Sequence, residues 1–402
     1  MIIEYHCPFG QPSGIARAAH DYMMALRSAG CDVRPVAFAP YSDDRIGRSH
    51  KPLLEKTGLS IAPPDVVIVH GMPSIASSMR PTRMKQRRDS LYVFVTTWET
   101  SALPPHLWVQ IADNYDAIVV PSRDSREAMM ADLRPPGPSV HVVPHAFDPA
   151  YWIRDRKPSE SATYHFYTIG VWSTRKNIEG VITAYFVSFQ KGDPVRLTIL
   201  TPWYDEERIE AIKRATGFDN FPEVRFITQR VTDEELYSLH ERSDCYVSAS
   251  RGEGWGLGSF EAALVGNAII TTPMGARDFL EHYDGYHRTF GGIPTPAMAY
   301  EHTRTQRIHV GDQVLSAREI RSARPEGVDA LQTWMEPDLT ALSYEMHNAY
   351  NKRAGFRPGR FGGALIREYG YEAVGSKFLS TLSEIAGKNG GVGAQSTGTS
   401  NS

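Results

Sequence analysis

The stretch Ser248–Phe279, SASRGEGWGLGSFEAALVGNAIITTPMGARDF, decides the fold. A β-rich run, DCYVSAS, ends near Ser250; a glycine-rich turn follows, and a helical pattern starts at about Gly258. Gly266, a second β-rich run NAIITT, and Gly275 come next. A helix N-terminus preceded by glycines offers free backbone N–H groups and a positive dipole end, which suits phosphate. Glu253 lies in the turn and Glu261 eight residues on, in the helix. A carboxylate can accept two hydrogen bonds from a vicinal diol, as on ribose or a hexose. Read alone, the segment is also compatible with a dinucleotide fingerprint or a plain helix cap, since Gly254, Gly256 and Gly258 imitate a GxG run. A dinucleotide fingerprint, however, normally sits in the first βαβ unit of its fold.

Working outward, short β-rich runs alternate with helical patterns along most of the chain, the mark of α/β units around parallel sheets. MIIEYH opens as a strand, and GIARAAHDYMMALRSAG follows as a helix ending at Gly30. DVRPVAFA, DVVIVH, LYVFVT, DAIVV and SVHVV are the next strand candidates, and Ser122 is a plausible N-cap. Residues 144–160, PHAFDPAYWIRDRKPSE, have no period and read as a linker. A second α/β series begins with TYHFYTIG, continues with a helix from Lys176 to Gln190, and runs on through VRLTIL and VRFIT. The expected division is residues 1–150, residues 151–370, a helix over 371–386 packing back toward the first domain, and a Gly/Ser/Thr-rich disordered tail over 387–402. Residues 281–333 are too long for a simple connection and read as a functional loop or an insertion.

Composition narrows the classes. The chain has 402 residues, 41% hydrophobic and 22% charged, with a formal charge of −3. That balance argues against a wholesale nucleic-acid coat. Cys7, Cys31 and Cys245 are too few and too scattered for a disulfide framework or a CxxC zinc site and read as core residues. No apolar run approaches the ~18 residues of a membrane span. MIIEYHCPFG lacks the layout of a signal peptide, so the expected location is cytoplasmic, with peripheral membrane contact open.

Two doubly wound domains put a cleft between them, and ligands of such sheets bind outside the carboxyl ends of the strands. The remaining motifs lie there. In YTIGVWSTRKNIEG a strand ends at Gly170 and a helix begins near Lys176, whose side chain can reach a diphosphate; Arg175 precedes it. In PFGQPSGIARAAH, Gly14 follows the first strand. In VFVTTWETSALPPH, a strand end carries Trp98 and Glu99, and His70 ends DVVIVH. Asp43-Asp44 is not a metal motif, and no His/Asp cluster has metal spacing. The segment RPTRMKQRR gathers Arg80, Arg83, Lys85, Arg87 and Arg88. It reads as a solvated loop or as a patch for an anionic acceptor or surface.

The Glu253–Glu261 segment, the Gly170–Lys176-Asn177 loop and the Gly14 loop together resemble retaining glycosyltransferases of GT-B architecture, glycosyltransferase family 4 (glycosyl transferases group 1). VVPHAFDP, FITQRVTDEELYSLHERSDCYVSAS and TWMEPDLTALSYEM extend the likeness over most of 1–280 and over 334–386. The resemblance implies two Rossmann-like domains facing a cleft, the first for the acceptor and the second for a nucleotide-diphosphate sugar, with no further cofactor and no metal. It implies donor contacts by Gly14, Gly170, Arg175, Lys176, Gly254, Trp255, Gly256, Leu257, Gly258 and Glu261. Glu253, Lys176 and Glu99 would serve catalysis, and His70, Trp98 and Glu99 the acceptor side. The chain departs from the family pattern twice. Val171 stands where many members carry an arginine, and Thr97-Trp98-Glu99 stands where many carry a histidine. A nucleotide-sugar-binding protein without turnover, and a GT-B phosphorylase or epimerase, are the alternatives. The acceptor stays open among glycan, lipid-linked, protein and nucleic-acid classes.

Overall fold

The computed structural model describes residues 1–8, 13–38, 62–76, 90–131, 137–154, 161–297, 307–310, 313–316, 332–353 and 362–392. The basic run from Arg80 to Arg88 lies outside the described residues, as do Asp43-Asp44 and residues 393–402.

The first domain is one parallel sheet of β1 (Ile2–Cys7), β2 (Asp32–Ala37), β3 (Val66–His70), β4 (Leu91–Val95), β5 (Ala117–Val120) and β6 (Ser139–Val142), in the order β2-β1-β3-β4-β5-β6. Every residue of β3, β4 and β5 is buried, as expected of parallel strands covered on both faces. Helices α1 (Gly14–Ser28), α2 (Pro105–Ala112) and α3 (Arg123–Met130) belong to this domain. Ser13 starts α1 by accepting from Ala16 N, and Ser122 starts α3 by accepting from Ser125 N.

The linker is more ordered than its composition suggests. Asp148 caps a short helix, α4 (Pro149–Trp152), whose Trp152 is buried under the second domain. That domain has β7 (Tyr164–Ile169), β8 (Val195–Leu200), β9 (Glu223–Ile227), β10 (Cys245–Ser248), β11 (Ala268–Thr271) and β12 (His287–Thr289). Their order is β12-β11-β10-β7-β8-β9, all parallel. Helices α5 (Ile178–Ser188), α6 (Glu206–Thr216), α7 (Asp233–Glu241), α8 (Leu257–Val265) and α9 (Arg277–Leu280) cover it. The stretch over 281–333 contributes β13 (Gly292–Pro296), paired antiparallel with β16 (Thr333–Pro337), and the hairpin β14 (Arg307–Val310) and β15 (Gln313–Ser316).

After α10 (Leu339–Asn351) and α11 (Gly362–Tyr369) the chain returns to the first domain as α12 (Tyr371–Val392). Val374, Phe378, Leu382 and Ile385 join the cluster of Tyr22, Met23 and Leu26 on α1. The two crossings between the domains touch, because Phe147 N donates to Tyr369 O at 3.0 Å. The helix runs beyond 386, to Val392. All three cysteines are buried thiols.

Each sheet has an apolar cluster on each face, and among the described residues no cluster joins the two sheets. At the C-terminal end of the first sheet sits a buried pair of histidines. His70 Nδ1 lies 2.9 Å from Tyr5 Oη, and Tyr22 packs between His70 and His145 with ring centroids 5.8 and 5.3 Å away. Burial, then the neighbouring His145, lowers the pKa of His70 to about 3. Burial lowers His145 to about 4, against an opposing pull from Asp21. Both rings are therefore neutral in the folded protein, while an unfolded chain protonates them below about pH 6.5. The folded state binds fewer protons, so stability is unaffected above pH 6.5 and falls as pH drops through that value toward 4. The slope is about 1 kcal/mol per pH unit per histidine. Thermal melts from pH 7.5 to 4.5 should show this loss, and His145→Gln should flatten the profile. An equal slope in both proteins would remove His145 from the account.

Candidate active site

The sheet order reverses between β10 and β7, so their carboxyl ends open a crevice there. The loop after β7 carries residues 170–177 and the loop after β10 carries residues 249–256. Asn177 closes the first loop in a left-handed conformation (φ 50°), and its side chain accepts from Gly180 N at 3.2 Å. Asparagine tolerates that region better than most residues, which gives the Lys-Asn pair a structural reason. The helix starts at Ile178 rather than at Lys176, leaving the Lys176 side chain in the loop.

Glu253 is the centre of the site. Lys176 Nζ lies 2.6 Å from its Oε1, and Arg175 Nη1 lies 3.4 Å from its Oε2. Arg175 also donates to Gly252 O at 2.7 Å and reaches Glu99 Oε1 of the first domain at 3.0 Å. Burial pushes the Glu253 pKa up, but Lys176 and Arg175 outweigh it and hold the carboxyl at about 2. Glu253 is thus a permanent anion, an acceptor of hydrogen bonds and not an acid. The cluster alternates in sign: Glu99, Arg175, Glu253, Lys176.

Behind it, Gly256 opens α8 in a left-handed conformation (φ 77°), and no side chain caps this helix among the described residues. The first amides of α8 are left for a ligand. Glu261, one turn in, is 5% exposed and forms a fork with Arg17 of the first domain. The Arg17 Nη1 arm is 3.4 Å from Oε2, and Nη2 contacts Oε1. His240 Nε2 lies 3.5 Å from Oε2 on the other side.

The two domains meet along a close backbone seam. A Cβ on Gly252 would fall 1.9 Å from Glu99 O, and one on Gly254 would fall 1.4 Å from Thr97 Oγ1. Only glycine lets the strands' ends approach this far. Ser122 donates to Gly254 O at 2.7 Å while capping α3. A reciprocal pair of ion bridges flanks the seam. Arg123 of the first domain binds Asp278, with Glu281 at 2.5 Å, and Arg277 of the second binds Asp124. Asp124 also accepts from Gly275 N at 2.7 Å. On the far side, Ser101 N donates to Thr333 O at 2.8 Å, and Arg251 forks onto Glu336 at 2.5 and 2.7 Å.

The structure thus brings together Glu253, Lys176, Arg175, Glu99 and, at the helix start, Gly254, Gly256, Leu257 and Gly258. Gly14 faces α8, with Leu257 Cδ1 3.1 Å from where its Cβ would stand, and Gly170 lies under the Lys176 side chain. Two expected site residues, Trp98 and His70, are placed otherwise. Trp98 is packed in the first domain's core, its indole N–H held by Thr100 Oγ1 at 2.7 Å and Ala102 O at 2.8 Å, so it offers no face to a sugar. The Trp255 side chain is 3% exposed among Phe260, Phe279 and Tyr369 and supports the turn from behind, while its backbone stays in the turn where the donor contact was expected. His70 is the buried partner of Tyr5. The sequence reading missed Arg17, His240, Asp124 and Arg251, which act across long separations in the chain. Arg17 had a signal, lying one turn from Gly14 on the same helix. Among the described residues no three His, Cys, Asp or Glu side chains gather to hold a metal ion, and no helix is long and apolar enough to cross a membrane.

Gly254→Ala should wedge the seam open. The variant should keep its secondary structure by circular dichroism, show a larger radius of gyration by small-angle scattering, and lose ligand binding in the cleft. A variant as compact as the parent would show the seam to be pliable.

Comparison with known proteins agrees with this geometry. Residues 153–290 match the family Glycosyl transferases group 1. No curated protein sequence matches the chain. Among solved structures, sucrose-phosphate synthase from Thermosynechococcus elongatus is similar at a TM-score of 0.64 and 13% identity, covering 96% of this chain and 100% of that one. Anabaena HepE, solved in complex with UDP-glucose, gives 0.62 and 13%, with 96% and 100% covered. S. aureus TarM gives 0.52 and 13%, covering 78% of this chain and 54% of that one, so the chain spans about half the length of TarM. With two parallel-sheet Rossmann-like domains closing on one cleft, the chain has the GT-B fold.

Proposed function

We propose that the protein is a metal-independent retaining glycosyltransferase of the family 4 type, moving a sugar from a nucleotide-diphosphate donor to an acceptor hydroxyl. The observation that carries this reading is the Glu99–Arg175–Glu253–Lys176 array beside the uncapped start of α8. Lys176, Arg175 and the first amides of α8 would receive the diphosphate and offset the charge that grows as it leaves, the work a metal ion does elsewhere. Glu253, ionised at every working pH, would accept hydrogen bonds from hydroxyls of the donor sugar. Glu261 would hold the ribose diol. Glu99, reached through Arg175 from the other domain, would face the acceptor side. The carboxylates near the cleft are already ion-paired, which disfavours a covalent nucleophile and favours a front-face route. In it the acceptor oxygen bonds to the anomeric carbon as the bond to the phosphate oxygen breaks, and that phosphate oxygen takes the proton. Closure of the seam excludes water and limits donor hydrolysis. HepE, with its bound UDP-glucose, lends support to a nucleotide-sugar ligand. The acceptor stays unnamed.

One observation favours the alternative of binding without turnover. Val171, at the place of the family's arginine, is 50% exposed and contributes no charge.

Incubation with UDP-, GDP- and ADP-sugars, reading free nucleotide, separates the two. Slow hydrolysis of one donor is expected, unaffected by EDTA, and cut about a hundredfold by Lys176→Ala. Nucleotide binding with no hydrolysis and no transfer would favour the alternative, and activity lost to EDTA and restored by magnesium would refute metal independence.

A further inference from the structure

The inference concerns Arg17 and rests on the reading of Glu261 as the ribose acceptor. A chain of hydrogen bonds fixes the surroundings of that carboxylate. Asn267 Nδ2 lies 2.8 Å from His240 O, which can only accept, so the amide nitrogen must face it. The same nitrogen donates to Tyr167 Oη at 2.7 Å. The Tyr167 hydroxyl lies 2.6 Å from His240 Nδ1 and can donate its proton to it. A neutral His240 with Nδ1 accepting carries its proton on Nε2, the nitrogen 3.5 Å from Glu261 Oε2. His240 is fully buried and held by this chain, so it cannot withdraw.

Arg17 takes the other positions. Its fork contacts both Glu261 oxygens. A carboxylate has about four acceptor positions. The fork bridges both oxygens, the two that a vicinal diol would engage with its two O–H groups. Something must yield when ribose arrives. His240 is locked. The Arg17 side chain is 29% exposed, belongs to the opposite domain and is the only member of this set that cleft opening carries away.

We infer that Arg17 is a cross-domain plug: with the seam closed it occupies the diol-binding face of Glu261, and a nucleoside diphosphate must displace it. Arg17 is then a positioning residue that holds the cleft shut. Its pair with Glu261 opposes donor binding, and the ribose hydroxyls exchange for the guanidinium.

The test is calorimetric titration of UDP, GDP and ADP into the full chain. Arg17→Ala should bind the preferred nucleotide about twofold to fivefold tighter, the range of a partly exposed ion pair removed from competition. Arg17→Gln, which removes the charge but keeps most of the aliphatic stem, should behave alike and guards against a local packing defect in the alanine variant. Arg17→Lys, a single charge with no fork, should fall between these and the parent. The gain should vanish in a Glu261→Gln background. If the parent binds a nucleotide and both neutral variants bind it equally or more weakly, the plug is refuted and Arg17 is a bystander or a donor ligand. If the parent binds none of the three, the ribose reading of Glu261 falls and the plug with it.

Discussion

A buried carboxylate is the constraint on which the rest of this structure depends. Taking Glu253 out of water costs several kcal/mol unless cations and hydrogen-bond donors replace the solvent. Here two cations come from one loop, and that loop can deliver them only because Asn177 turns it through a left-handed residue before α5 begins. Arg175 then carries the charge pattern across the cleft to Glu99. A requirement that begins as local desolvation thus fixes three segments, 97–100, 170–177 and 249–256, relative to one another. It also explains the glycines. Arg175 meets Gly252 O, and Glu99 lies over the same peptide, so no side chain can stand between them.

The interface between the domains is polar where the domain interiors are apolar. The core clusters stop at each sheet, and the contacts across the cleft are ion pairs, backbone hydrogen bonds and glycine-lined backbone. Exposed ion pairs contribute little each, because solvent screens them and the long side chains lose freedom. Asp124 differs: it is 9% exposed and bound by a backbone N–H as well as by Arg277. A seam of this kind closes with good fit but without the large apolar burial that would make opening prohibitive. The hinge is firmer, with the paired crossings at Phe147 and Tyr369 and the return of α12 onto α1. Firm hinge and weakly latched seam together describe a cleft able to open and shut about a fixed edge.

Much of this was legible in the sequence, for physical reasons that differ by element. Alternating β and helical runs revealed both sheets because parallel strands buried on two faces must be nearly continuous in apolar residues, as VVIVH and AIVV are. The Glu253 turn was legible because glycine, carboxylate and helix start occur within a few residues. What failed were judgements about which way a side chain faces. Trp98 lies beside motif residues, and proximity in sequence suggested proximity to ligand; it turns inward, where its N–H finds two partners. His70 fails similarly, since the Tyr5 hydroxyl draws it into the core. Arg17 and His240 could not be read at all as partners of Glu261, because that contact exists only after both sheets have formed and met.

Under the proposed function, the departure at Val171 is offset in three dimensions by Arg175. What a phosphate site requires is a guanidinium at a place in space, and the offset along the chain from Gly170 is only one route to it. The loop doubles back before Asn177, so Arg175 ends beside Gly252 and Glu253, while Val171 points to solvent. An arginine at Val171 would have to cross an exposed loop to reach that place; Arg175 is already there, its planar fork shared among a carbonyl and two carboxylates. The cost is that Arg175 is committed to Glu99 and Glu253, as Arg17 is to Glu261. The cations facing the proposed donor site are thus held by protein carboxylates until an anion of higher charge competes for them. That couples nucleotide entry to rearrangement of both domains, because Glu99 and Arg17 belong to one and Glu253 and Glu261 to the other.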